Sequence, residues 1–193
     1  IVRPKETYLT SISHLRLARS TDGIHFTIDE TPTLAAANTY EAFGLEDPRI
    51  TRIKDTYYIN YVAVAPLGVT TCLASTRDFE SFQRHGVIFH PENKDVVIFP
   101  EQIEGKYYAL HRPHSPLFQK NDMWVAESPD QLCWGNHRHL MGLREGVWDE
   151  TRIGAGAVPF RVDDGWLEIY HGADRHNRYC LGAVLLDAKE PWR

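Results

Sequence analysis

Cysteine is scarce in this chain. Cys72, Cys133 and Cys180 are odd in number and far apart in sequence, which argues against a disulfide scaffold. A surplus of basic charge is also missing: 21 Lys and Arg stand against 26 Asp and Glu, for a net charge of −5. That argues against a nucleic-acid or anionic-membrane binder built on a broad basic surface. No apolar run approaches the ~18 residues of a membrane span; the longest, Tyr57 to Leu67, is broken by Asn60 and Pro66. Metal-ligand spacing is absent too. His137 and His139 are two apart, His111 and His114 flank Arg112-Pro113, and no His pairs with Cys at zinc spacing, so no metal is expected. Gly154-Ala155-Gly156 is followed by neither GxGxxG nor GK[ST], and no Gly-x-Ser-x-Gly elbow occurs. Helical periodicity is weak. The best local candidate, Thr33–Ala42, has no clear apolar stripe and reads equally as loop.

Apolar mass, by contrast, is sufficient: 193 residues at 42% hydrophobic can bury a core. Short aromatic and β-branched runs recur at Leu15–Ala18, Thr56–Ala65, Val96–Phe99, Tyr107–Leu110, Trp124–Ala126, Trp166–Tyr170 and Leu181–Leu186, with Gly, Asp, Asn and Pro between them. This predicts many short strands. The runs belong to two alternating motifs. In the first, an apolar strand leads into Ser and then Asp with an aromatic behind it: LARSTDGIHF (17–26), LASTRDFESF (73–82) and VAESPDQLCW (125–134). In the second, a Pro precedes a turn and an aromatic strand: DPRITRIKDTYYINY (47–61), FPEQIEGKYYALHR (99–112) and VPFRVDDGWLEIYHG (158–172). Ser20, Ser75 and Ser128 are spaced by 55 and 53 residues; Pro48, Pro100 and Pro159 by 52 and 59. About four short strands per 50–60 residues is the signature of a β-propeller blade, with a β-sandwich as the alternative.

Glu46-Asp47-Pro48-Arg49 opens one aromatic strand. The other repeats carry Phe99-Pro100 and Val158-Pro159 there, so the acid before Pro reads as unique to one repeat. Departure from a repeat is where function tends to sit; a turn-capping Asp47 paired with Arg49 fits the pattern equally well. Lys94, Arg112, Arg152 and His171 fall near strand ends in successive repeats. Converging at one rim they would make an anion pocket, since Arg grips phosphate with two parallel hydrogen bonds; taken singly, each is also a solvated rim charge. Tyr57, Tyr58, Tyr107, Tyr108 and Trp166 read as blade core.

These residues together resemble glycoside hydrolase family 130, the mannoside phosphorylases, which are five-bladed β-propellers. The resemblance is carried by Gly44–Ile50, Asn93–Pro100, Leu110–Pro113, Ser128-Pro129-Asp130, Arg152–Gly156 and Gly165–Gly172, in family order along nearly the whole chain. It implies an all-β fold with Asp47 as sole catalytic acid, protonating the mannose 3-hydroxyl, which relays a proton to the glycosidic oxygen. Inorganic phosphate, a co-substrate, would attack the anomeric carbon from the opposite face and give α-mannose 1-phosphate with inversion. An inverting hydrolase needs a second carboxylate to activate water; phosphate is already anionic and needs positioning by cations. The implied phosphate ligands are Lys94, Arg112, Arg152 and His171, all four basic though two differ in identity from the family's Arg, Arg, Lys and His, with Tyr179 as a further phosphate-side residue. The implied substrate contacts are Arg3, Glu46, Arg49, Asn93, Asp95 and His111. Two rivals remain: a β-mannosidase on the same scaffold, with Glu150, Asp149 or Asp174 as base, and a non-catalytic carbohydrate-binding propeller. No metal or organic cofactor is expected; the expected partners are a β-mannoside oligosaccharide and phosphate, not nucleic acid or membrane. Self-association into a homo-oligomer stays open, as do the linkage (β-1,4 or β-1,2) and the acceptor sugar. The free cysteines and the need for phosphate favour the cytoplasm. Residues 1–193 form one propeller domain, expected to be truncated at both ends: a five-bladed ring needs on the order of 270 residues, and this chain supplies about three and a half to four blades.

Overall fold

The computed structural model describes residues 12–114, 117, 118 and 120–193, together with the backbone of Val2, Arg3, Glu6 and Thr7. Among the described residues sixteen strands follow one another almost without helix. Two short pairs come first, β1 (Val2–Arg3) with β2 (Glu6–Thr7) and β3 (Ala18–Arg19) with β4 (Thr27–Ile28). The first blade is β5 (Gly44–Ile53), β6 (Thr56–Ala65), β7 (Gly68–Thr76) and β8 (Gln83–Phe89), paired in that order. The second is β9 (Asn93–Ile98), β10 (Tyr107–Pro113), β11 (Met123–Ser128) and β12 (Gly135–Met141). In the third, β13 (Arg152–Ala155) and β14 (Phe160–Val162) pair with successive halves of β15 (Gly165–Ala173), and β16 (Tyr179–Leu186) lines its other side. All pairings between these strands are antiparallel, as short connections require. The chain is thus all-β, with two complete blades, most of a third and part of a preceding one. Thr33–Ala42 forms a single 3-10 turn, Thr39–Glu41, capped by the Asn38 side chain on the Tyr40 N–H.

Alternation with period 2 sends side chains of each sheet into two different joints. Val96, Ile98 and Ala109 pack toward the first blade with Leu73 and Phe89. Their neighbours Val97, Phe99 and Leu110 pack the other way, against Ile153, Trp166 and Leu186 of the third blade. Sheets buried on both faces explain why the middle strands read as continuous apolar runs. Polar ties cross the first joint as well: Asn60 Nδ2 donates to the Val96 carbonyl at 2.7 Å and Thr51 Oγ1 to that of Ile98 at 3.1 Å.

The recurrent Ser-x-Asp element is a turn. Ser20 Oγ accepts from the N–H of Asp22 and Gly23, and Asp22 Oδ1 from those of Ile24 and His25. Ser128 and Asp130 repeat this on residues 130–133. In the first blade the hydroxyl is that of Thr76, not Ser75: Thr76 Oγ1 accepts from Asp78 and Phe79, whereas Ser75 Oγ meets His85 Nε2 at 2.8 Å. The turn needs its hydroxyl two residues before Asp, and that spacing places it one residue later than the Ser alignment suggests. Asp187 makes the acidic half of the turn a fourth time, accepting from Lys189 and Glu190.

Candidate active site

The inner strands carry the site. In the β5–β6 ladder Glu46 pairs with Val62 and Arg49 with Asn60, so Asp47 and Pro48 together oppose Tyr61. This is a bulge, where Pro48 can sit because no ladder N–H is asked of it. Asp47 takes φ 50°, in the left-handed region that Asp tolerates better than most residues. The β9–β10 ladder does the same: Lys94 pairs with Arg112 and Val97 with Leu110, leaving Asp95 and Val96 opposite His111. Asp95 takes φ 53°. Register therefore matches Asp47 with Asp95, which corrects the alignment of Asp47 with Phe99: the acid recurs, and Pro100 lies further along its strand than Pro48 does. What differs is the surroundings. The Asp47 side chain is 48% exposed and faces Lys94 Nζ at 3.8 Å; that of Asp95 is 6% exposed.

Asp95 is the hub of the cations. Its Oδ2 lies 3.0 Å from Arg112 Nη2 and 3.3 Å from His171 Nε2. Burial works to raise its carboxyl pKa, but His171 together with the Arg112 and Arg49 charges overrides this and holds it below the ordinary carboxylate value. Gly154 makes room: a Cβ there would collide with the Asp95 carboxylate and stand 2.9 Å from His171 Cε1. Lys94 Nζ reaches Glu46 Oε1 at 3.4 Å as well as Asp47. On the third blade, Arg152 Nη1 donates to Tyr179 OH at 3.0 Å and Nη2 to Asn177 Oδ1 at 3.2 Å, and the Tyr179 ring lies 5.9 Å from that of His171. Asp47, Lys94, Asp95, Arg112, His171, Tyr179 and Arg152 thus form one chain of neighbours across three blades. Its cations are held by acids and a hydroxyl: Lys94 by Glu46 and Asp47, Arg112 and His171 by Asp95, and Arg152 by Tyr179.

Other expected residues sit differently. Arg49 ties backbone: Nε donates to the Gly156 carbonyl at 2.9 Å, Nη2 to that of Ala155 at 3.4 Å and Nη1 to that of Asp47 at 2.9 Å. His111 is buried in the joint between the first two blades, stacked on Phe89, and linked to Asn93 Nδ2 at 3.1 Å and His137 Nδ1 at 3.0 Å. Burial, then the charges of His137 and His90, push its pKa down to about 3, so it is neutral at pH 7. The side chain of Arg3 lies outside the described residues. Glu168, which sequence reading passed over, is fully buried in β15 and accepts the Gly156 N–H at 3.0 Å. Its signal was an acid inside the aromatic run Trp166–Tyr170. The three acids named as alternative bases are all engaged. Asp149 is buried under a fork from Arg144 at 2.8–3.0 Å. Arg175 holds Glu150 at 2.8 and 3.0 Å and draws its pKa down to about 2. Asp174 accepts the N–H groups of His176 and Arg178. Among the described residues no group of three or more His, Cys, Asp or Glu is placed to hold a metal ion, and no helix is long and apolar enough to cross a membrane.

The class of fold is that of the five-bladed β-propellers, on which the solved structures agree. A β-1,2-mannobiose phosphorylase from Listeria innocua, solved with β-1,2-mannobiose, superposes with a TM-score of 0.91 at 52% identity, over 93% of this chain and 51% of that one. A thermostable family-43 glycoside hydrolase shares the fold at 15% identity and a TM-score of 0.73. The family model described as beta-1,4-mannooligosaccharide phosphorylase matches residues 5–192, and the chain belongs to that family, glycoside hydrolase family 130. The β-1,2-mannobiose phosphorylase sequence from Listeria innocua is 54% identical over 96% of this chain and 52% of its own length. A 1,2-β-oligomannan phosphorylase from Thermoanaerobacter is 38% identical over 98% and 63%, and a β-1,4-mannooligosaccharide phosphorylase from Ruminococcus albus 36% identical over 90% and 55%. The chain spans about half to two thirds of the length of these relatives.

Proposed function

We propose that this chain is the greater part of the catalytic propeller of a β-mannoside phosphorylase that cleaves its substrate with inorganic phosphate, with inversion, to α-mannose 1-phosphate. The observation that carries the reading is one half-exposed acid, Asp47, beside Lys94, with Arg112 and His171 gathered on the neighbouring Asp95, while Asp149, Glu150 and Asp174 are engaged elsewhere. Asp47 protonates the mannose 3-hydroxyl, which passes a proton to the departing glycosidic oxygen. Lys94, Arg112, Arg152 and His171, with Tyr179, hold phosphate for in-line attack on the anomeric carbon. Positioning of this kind is worth several kcal/mol of barrier without any base. The similarity to two β-1,2-specific enzymes supports a β-1,2-mannoside as substrate. Three unpaired cysteines and the need for phosphate fit a reducing, cytoplasmic setting.

The test is cleavage of β-1,2- and β-1,4-mannobiose with and without phosphate, with identification of the sugar phosphate. Phosphate-dependent release from the β-1,2 substrate is expected; equal rates without phosphate would sink the reading. Asp47→Asn removes turnover while circular dichroism stays unchanged. Arg112→Ala raises the apparent KM for phosphate on the order of tenfold or more, as loss of a charged hydrogen-bond donor implies.

A further inference from the structure

Glu168 has no place in that chemistry, yet it is one of the few acids buried completely. The tight turns that open the three middle strands, closed by Ile53–Thr56, Ile103–Lys106 and Val162–Gly165, give a common origin for counting. Three residues further on stand Ile59, Ala109 and Glu168. The first two are buried and apolar, so stacking one blade on another does not ask for an acid there. Glu168 Oε1 accepts the Gly156 N–H at 3.0 Å, and Oε2 makes no hydrogen bond. Gly156 is held closely, since a Cβ would stand 2.6 Å from the Ile169 carbonyl. The Gly156 and Ala155 carbonyls in turn receive Arg49, which crosses from the first blade to the third and also holds the Asp47 carbonyl. Asp47 keeps a left-handed backbone at φ 50°, a conformation that persists only where neighbours over-determine it.

We infer that Glu168 is a positioning residue for the reaction: it fixes the Ala155–Gly156 segment, whose carbonyls fix Arg49, which fixes the backbone of Asp47. The inference rests on the reading of Asp47 as the acid. Burial pushes the Glu168 pKa up to about 8, against the opposing pull of the Gly156 N–H and the Arg49 charge, so at neutral pH it is a carboxylic acid rather than a second carboxylate. Gln is therefore its close mimic, and Leu keeps the volume while losing the acceptor.

The experiment compares Glu168→Gln, Glu168→Leu, Arg49→Lys and the double Arg49→Lys/Glu168→Leu variant in a chain long enough to be active. The expected result is a kcat within about twofold of the parent for Gln and lowered on the order of 10- to 100-fold for Leu, the scale of a misplaced catalytic group. The KM for phosphate should move less than about twofold. The double variant should be no worse than the poorer single one, since both act through one path. Glu168→Met replaces Leu if the Leu chain does not fold. A parental kcat for Leu or Met, a Gln variant as impaired as Leu, or additive losses in the double variant each overturn the inference. Asp47→Asn run alongside separates the two readings. If it stays active, the role of Asp47 falls; if it is inactive while Glu168→Leu is unimpaired, only the Glu168 relay falls.

Discussion

Asp47 and Asp95 occupy the same bulge in successive blades and adopt nearly the same backbone, at φ 50° and 53°. Their side chains nevertheless differ in kind, because one opens beside Lys94 and the other is shut in by Arg112 and His171. The closed pocket depends on Gly154. Gly154→Ala should drive the Asp95 carboxylate off its cations and cost about 1–3 kcal/mol, the usual range for overpacking; thermal melts with and without phosphate measure both losses. Asp95 also sets an acid limit. Its folded pKa lies below the unfolded value, so its stabilisation is present above about pH 4 and is lost as pH falls through the folded pKa. Denaturant unfolding at several acidic pH values should show the decline, and Asp95→Asn should flatten it. The residue types at this site were legible in the sequence. That Asp95, Arg112 and His171 share one point, while Asn93 and His111 turn into a different joint, follows from strand pleat and register, which no single strand carries.

At the scale of elements, the repeat announced itself through residues with local jobs. Ser-x-Asp closes its turn by hydrogen bonds within four residues, so it is visible in the sequence; the shift to Thr76 escaped because Ser75 beside it is also a hydroxyl. The Pro repeat misled for the opposite reason. Pro48 sits in the bulge and Pro100 beyond the end of β9, and both merely mark places where no ladder N–H is needed. The 3-10 turn before β5 shows how much a short element can matter. Glu41 is fully buried beneath it, accepting from Tyr61 OH at 2.7 Å and from Arg84 Nη1 at 2.8 Å through both oxygens. Arg84→Ala would leave that carboxylate buried without its cation, and a loss of about 3–5 kcal/mol is expected in urea unfolding. A change below 1 kcal/mol would mean that Tyr61 and the Ala37 N–H, which donates to Glu41 Oε2 at 2.8 Å, suffice.

For the whole molecule the successive joints set what is covered and what is not. Leu73 and Val125 are buried because a following blade packs on them. In the third blade that same face carries Leu181 at 73% exposure and Leu185 at 50%. The 193-residue chain should therefore enhance ANS fluorescence, and Leu181→Ser with Leu185→Ser should reduce the signal; a dye response unchanged by both would contradict the exposure of this face. By itself the sequence determined the all-β class, the 50–60-residue period and the residues that carry the family resemblance. Those are properties of short-range pattern: alternation, turn chemistry and spacing. Only the tertiary structure decided that Asp47 and Asp95 are counterparts, that Arg49 crosses from blade to blade, and that Glu168 lies behind it. Arg49 meets carbonyls 106 and 107 positions away, and those partners are chosen by how blades pack.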